Sequence, residues 1–290
     1  MAGPASSESE FEAAGAGGTT LRGWTQGEGP SIVLAHGITA HRDLVVHGSS
    51  HLPRAGYRLI SYDARAHGES DPGAVGSYGY GTLSDDLEAV CSDREAGRPL
   101  LCGHSMGAHT VLVAALRNPE AFAGLVLIGP VSQGQYPPEE TLTYWDSLAD
   151  GLHEGGVEGW LNAYQAGGLD PEWRETLLRI ARARMERHRH PEALSEALRE
   201  VPRSVPYEGL GPLEALRLPV LVVASHDVAD PGHPYETALV VAERLPDARL
   251  ISEQQGESPL AWQGGRLSRE IEQFAASVAV NERLGTPGST

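Results

Sequence analysis

Pro99-Leu100-Leu101-Cys102-Gly103-His104-Ser105-Met106-Gly107-Ala108 is the stretch that decides the reading of this chain. An apolar run breaks at Gly-His-Ser-Met-Gly and resumes at once as a helix-forming run over residues 108–116, the strand, sharp turn, helix context of a nucleophile elbow. Ser105 sits on the turn. Gly103 and Gly107 are required because the serine's backbone is strained there and strand and helix pass too close for a Cβ. In a chain rich in glycine and serine the pentapeptide alone is weak; its flanks make it strong.

Outward from that turn, strands and helices alternate. Residues 19–25 read as an edge strand, and 31–35 as a continuous apolar run of the kind buried on both faces of a parallel sheet, ending at His36-Gly37. A short helix closes at residues 52–56. A second buried strand, 57–62, ends at Asp63-Ala64-Arg65-Ala66-His67-Gly68-Glu69-Ser70. Residues 82–96 are an amphipathic helix with Leu83, Leu87 and Val90 on one face, and 125–128 a further strand. The alternation predicts an α/β architecture, a doubly wound and mainly parallel sheet, with chemistry at the carboxyl ends of the strands. His36, Asp63, Ser105 and Gly129 fall at such ends.

Over residues 132–216 strand-like runs give way to amphipathic helical stretches carrying Trp145, Trp160, Tyr164 and Trp173, broken at Gly155-Gly156 and Gly167-Gly168. This is a helical cap. Packing is the ordinary role of such aromatics, but a cap over a catalytic edge supplies the lining of a substrate pocket, and Trp145 and Trp160 are candidates for it together with His36, Gly37 and His104. The sheet resumes at 218–224, followed by Ser225-His226-Asp227, a helix at 235–245, a strand at 248–251, a loop at 253–265 and a helix at 267–280. The expected organisation is a disordered tail (1–18), a first core segment (19–131), the cap (132–216), a second core segment (217–280) and a disordered tail (281–290).

The 290 residues suffice for a full core, and the formal net charge of −17 argues against nucleic acid or an anionic membrane as partner. The arginine cluster Arg179, Arg182, Arg184, Arg187 and Arg189 reads as a solvated helix face rather than a phosphate site. Lysine is absent, which removes Schiff-base chemistry and an amine base. Cys91 and Cys102 have no metal-ligand spacing, and His188 and His190 read as a chance surface pair on an exposed helix, so no metal and no organic cofactor is expected. The start of the chain lacks the order of a signal peptide, and a cytoplasmic protein is expected. The partners expected are a small-molecule substrate or ligand and a second copy in a homodimer. The lysine-free, alanine-, arginine- and glycine-rich composition resembles that of actinobacterial proteins, a source that points to secondary metabolism.

The chain resembles the α/β-hydrolase superfamily, specifically its capped esterase, lipase and peptidase-type members, from about residue 20 to residue 280. The resemblance rests on His36-Gly37, Asp63-x-Arg65-x-His67-Gly68-x-Ser70, Gly103-x-Ser105-x-Gly107 and the acid loop after residues 220–224. It implies that Ser105 is the nucleophile and that the backbone N–H groups of Ile38 and Met106 form the oxyanion hole. It also implies that His36 and the 63–67 stretch are structural. Asp227 matches the triad acid better than Asp230 does.

The triad's histidine is where the pattern departs. Its place after a glycine in the last loop is taken by Glu257, and no histidine follows His233. A serine hydroxyl needs a base poised near neutral pH, which an ordinary carboxylate is not. Three readings follow. In one, the protein acts on a small apolar carbonyl or ester substrate through Ser105 with a histidine from elsewhere, His233 or His226, although a loop residue is the plainer account of His233. In another, Asp227 and Glu257 share a proton and serve a lyase, isomerase or cyclase. In the third, the site is a catalytically dead small-molecule-binding pocket.

Overall fold

The computed structural model describes residues 8–166, 174–226, 230, 232–254 and 256–285. Asp227, the expected acid, lies outside the described residues, as does Trp173. Eight strands form one sheet: β1 (Ser9–Ala14), β2 (Thr20–Gln26), β3 (Ser31–Ala35), β4 (Arg58–Tyr62), β5 (Leu100–His104), β6 (Gly124–Ile128), β7 (Val220–Val223) and β8 (Ala248–Ile251). Their spatial order is β1-β2-β4-β3-β5-β6-β7-β8. Only β2 runs against its neighbours, and every pairing from β4 to β8 is parallel.

The apolar runs of β3, β6 and β7 are buried along their whole length because helices cover both faces. Before the cap come α1 (His51–Arg54), α2 (Tyr80–Asp93) and α3 (Met106–Arg117). Between β6 and β7 lie α4 (Glu139–Ala166), α5 (Arg174–Met185), α6 (Pro191–Arg203) and α7 (Gly211–Ala215), and after β7 come α8 (Tyr235–Arg244), α9 (Gly264–Ala275) and α10 (Val278–Asn281). One face packs Val33 and Ala35 of β3 against Leu87 of α2, Val111 of α3 and Val241 of α8. The other packs Ile32 and Leu34 against Leu52 of α1, Ile271 of α9 and Val280 of α10. That alternation is the two-residue period of a strand.

A third apolar cluster joins the inserted helices to the carboxyl edge of the sheet. Leu148 and Trp160 of α4, Ala181 and Met185 of α5 and Leu198 of α6 pack with Ile38 and Met106. Helix α4 breaks at Gly156, whose φ of 59° lies in the left-handed region.

The described parts of both expected tails, residues 8–18 and 281–285, differ from the reading. Residues 9–14 form β1 at the sheet edge, so residues 20–26 are an interior strand. In Ser9-Glu10-Phe11-Glu12-Ala13 the apolar residues alternate with acids, and Phe11 and Ala13 are buried while Glu10 and Glu12 face solvent. The small residues around this strand hid a period of two. At the other end α10 continues the core through Val280, and Gly285 N–H donates to Arg98 O at 3.2 Å.

Candidate active site

Ser105 is held at φ 54°, ψ −112° between β5 and α3, and it is buried. The strain is imposed by packing. A Cβ on Gly103 would run into the Gly107 carbonyl, and one on Gly107 into the Ala35 carbonyl of β3. Ser105 N–H donates to Ile128 O of β6 at 2.9 Å, which fixes the turn against the neighbouring strand. Ser105 Oγ hydrogen-bonds to no described residue. Met106 N–H opens α3, so it has no partner within the helix.

Opposite it, Gly37 packs so closely that a Cβ there would lie 3.2 Å from His104 Nδ1 and 3.4 Å from the Ser105 Cβ. Its neighbour Ile38 is anchored by its carbonyl, which accepts from His67 Nε2 at 2.8 Å. His36 is a strut. Its Nδ1 lies 2.8 Å from Gly37 O and its Nε2 accepts from Ala64 N–H at 2.9 Å, and burial holds its pKa well below the ordinary value. Asp63 accepts from the N–H groups of Arg42 and Glu69 and lies where a Cβ on Gly68 would fall.

The loop after β7 brings a histidine to this turn. His233 Nδ1 lies 2.8 Å from Asp230 Oδ2, and a Cβ on Gly129 would meet the His233 ring at 3.1 Å. Gly129 follows Ile128, the residue that Ser105 N–H grips. With Nδ1–H donating to the carboxylate, His233 Nε2 carries a free lone pair. Burial alone would raise the Asp230 carboxyl, but the hydrogen bond to His233, with the Arg184 guanidinium beyond it, outweighs burial and holds the group below the usual range. His233 is half-buried and held by this bond rather than free on the surface. His226 instead is exposed and stacks on Tyr235 at 3.9 Å.

His104 lies between His233 (ring centroids 5.1 Å apart) and Trp262 (5.4 Å), and Trp262 in turn meets His47 at 5.6 Å. Burial, with His233 next to it, pushes His104 down to about 3, so the ring is neutral. Trp160 is 1% exposed and stacks on Tyr164, inside the cap's core rather than on a pocket wall, while Trp145 is half-buried beside Tyr144.

The expected partner of Glu257, Asp227, lies outside the described residues. The Glu257 side chain is exposed and bonded to Arg266 at 2.7 Å, and that bond holds its carboxyl below the ordinary value, whereas a shared proton would raise it. Two further expectations are corrected on α5 and just beyond it. His188 is buried, with Nδ1 accepting from Gly68 N–H at 2.9 Å, and Arg184 turns inward from the solvated arginine face. Ala181, Arg184, Met185 and His188 are spaced i, i+3, i+4, i+7, the signature of an inward face, and this spacing was the available signal.

The sequence matches the family model described as alpha/beta hydrolase fold over residues 30–167. The same fold recurs in an esterase from Thermogutta terrifontis solved with malate bound, at a TM-score of 0.75 and 20% identity, covering 96% of this chain and all of that one. The chain has the α/β-hydrolase fold and matches that superfamily's model over just under half of its length. Among curated α/β hydrolases, a putative carbamate hydrolase, RutD of Agrobacterium fabrum, is 27% identical over 238 residues, 79% of this chain and 86% of that protein. The superfamily protein YisY of Bacillus subtilis is 35% identical over 81 residues, 28% of this chain and 30% of YisY. These relatives support a hydrolase-like enzyme, and no described helix is long and apolar enough to cross a membrane.

Proposed function

We propose that this α/β hydrolase cleaves a small carboxylic ester with a relocated triad of Ser105, His233 and Asp230. The observation that carries the reading is the 2.8 Å bond between His233 Nδ1 and Asp230 Oδ2, made beside the backbone of Gly129. Asp230 fixes the imidazole tautomer and stabilises the imidazolium that forms. His233 Nε2 takes the Ser105 proton as Oγ attacks the ester carbonyl, and the Ile38 and Met106 N–H groups receive the developing oxyanion. Collapse expels the alcohol, which takes the proton from His233. Water, deprotonated by the same nitrogen, then attacks the acyl-serine; the acyl–Oγ bond breaks, Ser105 Oγ takes the proton back from His233, and the acid is released. The hydrogen bond from Ser105 to His233 forms with substrate in place, since catalytic hydrogen bonds are often long in a free enzyme.

The hydrolases and esterases among the relatives support a hydrolytic reaction. The exposed pairing of Glu257 with Arg266 weighs against a carboxylate-based lyase or isomerase. Steady-state hydrolysis of 4-nitrophenyl butyrate tests the reading: turnover in the parent, lost in both Ser105→Ala and His233→Ala, is expected. Turnover that survives His233→Ala overturns the assignment of the base.

A further inference from the structure

The inward face of α5 holds a cation that makes no ion pair with any described residue. Ala181 and Met185, each 2% exposed, pack in the cluster that contains Ile38 and Met106, so the face between them looks onto the oxyanion loop and the elbow. Arg184 is on that face. Its Nε is buried and has no hydrogen-bond acceptor, and its guanidinium makes no ion pair with any described residue. Arg182, two positions earlier, points the other way and pairs with Glu158 on the surface.

The groups around Arg184 identify the place. It acts electrostatically on Tyr144 and Tyr164 of α4, on Asp230 and on His104. Those are the cap's aromatic floor and the residues beside Ser105. Neither the Tyr144 nor the Tyr164 hydroxyl donates to a described residue. Trp160, stacked on Tyr164 at 5.0 Å, adds a second buried N–H without an acceptor. A buried guanidinium nitrogen without an acceptor is costly, and burial lowers the pKa of Arg184 from its ordinary value.

Building on the hydrolase reading, we infer that Arg184, with the Tyr144 and Tyr164 hydroxyls, is a subsite for a carboxylate carried by the substrate away from its scissile ester. A guanidinium presents a planar fork to a carboxylate, and two phenols add donors at its rim. A monoanion fits better than a phosphate dianion because one cation faces the subsite and the Asp230 carboxylate is nearby. The substrate class is therefore a half-ester of a dicarboxylic acid rather than a wholly apolar ester.

The test compares mono-4-nitrophenyl glutarate with 4-nitrophenyl butyrate. The ratio of their kcat/KM values should favour the anionic ester in the parent and fall roughly 10- to 100-fold in Arg184→Gln, the scale of a charge-assisted hydrogen bond. It should fall less in Arg184→Lys and stay at the parent's value in Arg182→Gln. A ratio unmoved in a folded Arg184→Gln, checked by circular dichroism, overturns the subsite while hydrolysis of both esters upholds the hydrolase reading. Calorimetry with glutarate on Ser105→Ala separates the two claims. Glutarate binding that is lost on adding Arg184→Gln supports the subsite even where neither ester is turned over. Inorganic phosphate binding as tightly as glutarate overturns the carboxylate assignment.

Discussion

His233 Nδ1 and Asp230 Oδ2 lie 2.8 Å apart within one loop, three residues from each other in sequence. In the proposed triad one loop carries the acid and the base together. Replacing Asp230 by Asn leaves the shape but lets the imidazole take the wrong tautomer. Turnover should drop by about 10⁴-fold, the scale seen when a triad loses its orienting carboxylate. Steady-state rates of Asp230→Asn and Asp227→Asn, measured side by side, decide which carboxylate orients His233. The larger loss should fall on Asp230.

Glu257 takes the place of the family's histidine but not its work. Its partner is Arg266 and both are at the surface. Glu257→Gln should leave ester turnover within about twofold of the parent, as for other exposed ion pairs. A loss of two or more orders of magnitude in a folded variant would return Glu257 to the site.

The turn at Ser105 exists because two backbones touch. Gly107→Ala places a methyl group against the Ala35 carbonyl of β3, so the change should destabilise the protein by about 2–4 kcal/mol. Urea unfolding of Gly107→Ala beside Gly265→Ala, whose nearest non-neighbouring atom is 3.9 Å from such a Cβ, checks this. Equal midpoints would contradict the packing account.

How much of this was legible beforehand depended on the kind of signal. The buried strands, their order and the elbow were readable because continuous apolar runs and the Gly-x-Ser-x-Gly turn follow from local sterics. Strand β1 was not, since Phe11 and Ala13 alternate with acids in a stretch otherwise made of small residues. His233 was one of two candidate bases in the sequence, and its surroundings were not visible there. Asp230-Pro231-Gly232-His233-Pro234 reads as a turn, and only the position of Gly129 across the sheet edge shows what the ring faces. Arg184 was hidden among arginines that face solvent, and its i, i+3, i+4, i+7 partners were the clue.

Burial keeps several histidines neutral, and stability should record it. Burial pushes His104, His109 and His188 each down to about 3. His109 Nε2 accepts from both Val131 N–H and Ser132 N–H, so a proton there would face two donors. These groups bind protons in the unfolded chain near its ordinary pKa of about 6.5 but not in the folded one. Their contribution to stability is therefore whole above that pH and lost as pH falls from it toward 3. Urea midpoints should drop between pH 7.5 and 5, and His109→Gln should flatten the drop. A flat profile in the parent would contradict the neutral assignment.

Arg65 and Asp86 form a bidentate pair, both arms 2.7 Å, with side chains 2% and 1% exposed. Asp86 also accepts from Ala16 N–H at 2.8 Å, which ties the turn after β1 to α2. Asp86→Ala strands a buried guanidinium and should cost about 3–5 kcal/mol in urea unfolding.

Intact-mass labelling with a fluorophosphonate serine probe tests the central claim most directly, because it reads the activated serine without any choice of ester. Stoichiometric labelling of the parent, abolished in Ser105→Ala and in His233→Ala but retained in Glu257→Gln, is the predicted result. Labelling that persists in His233→Ala, or a parent that takes up no label, would contradict a triad of Ser105, His233 and Asp230.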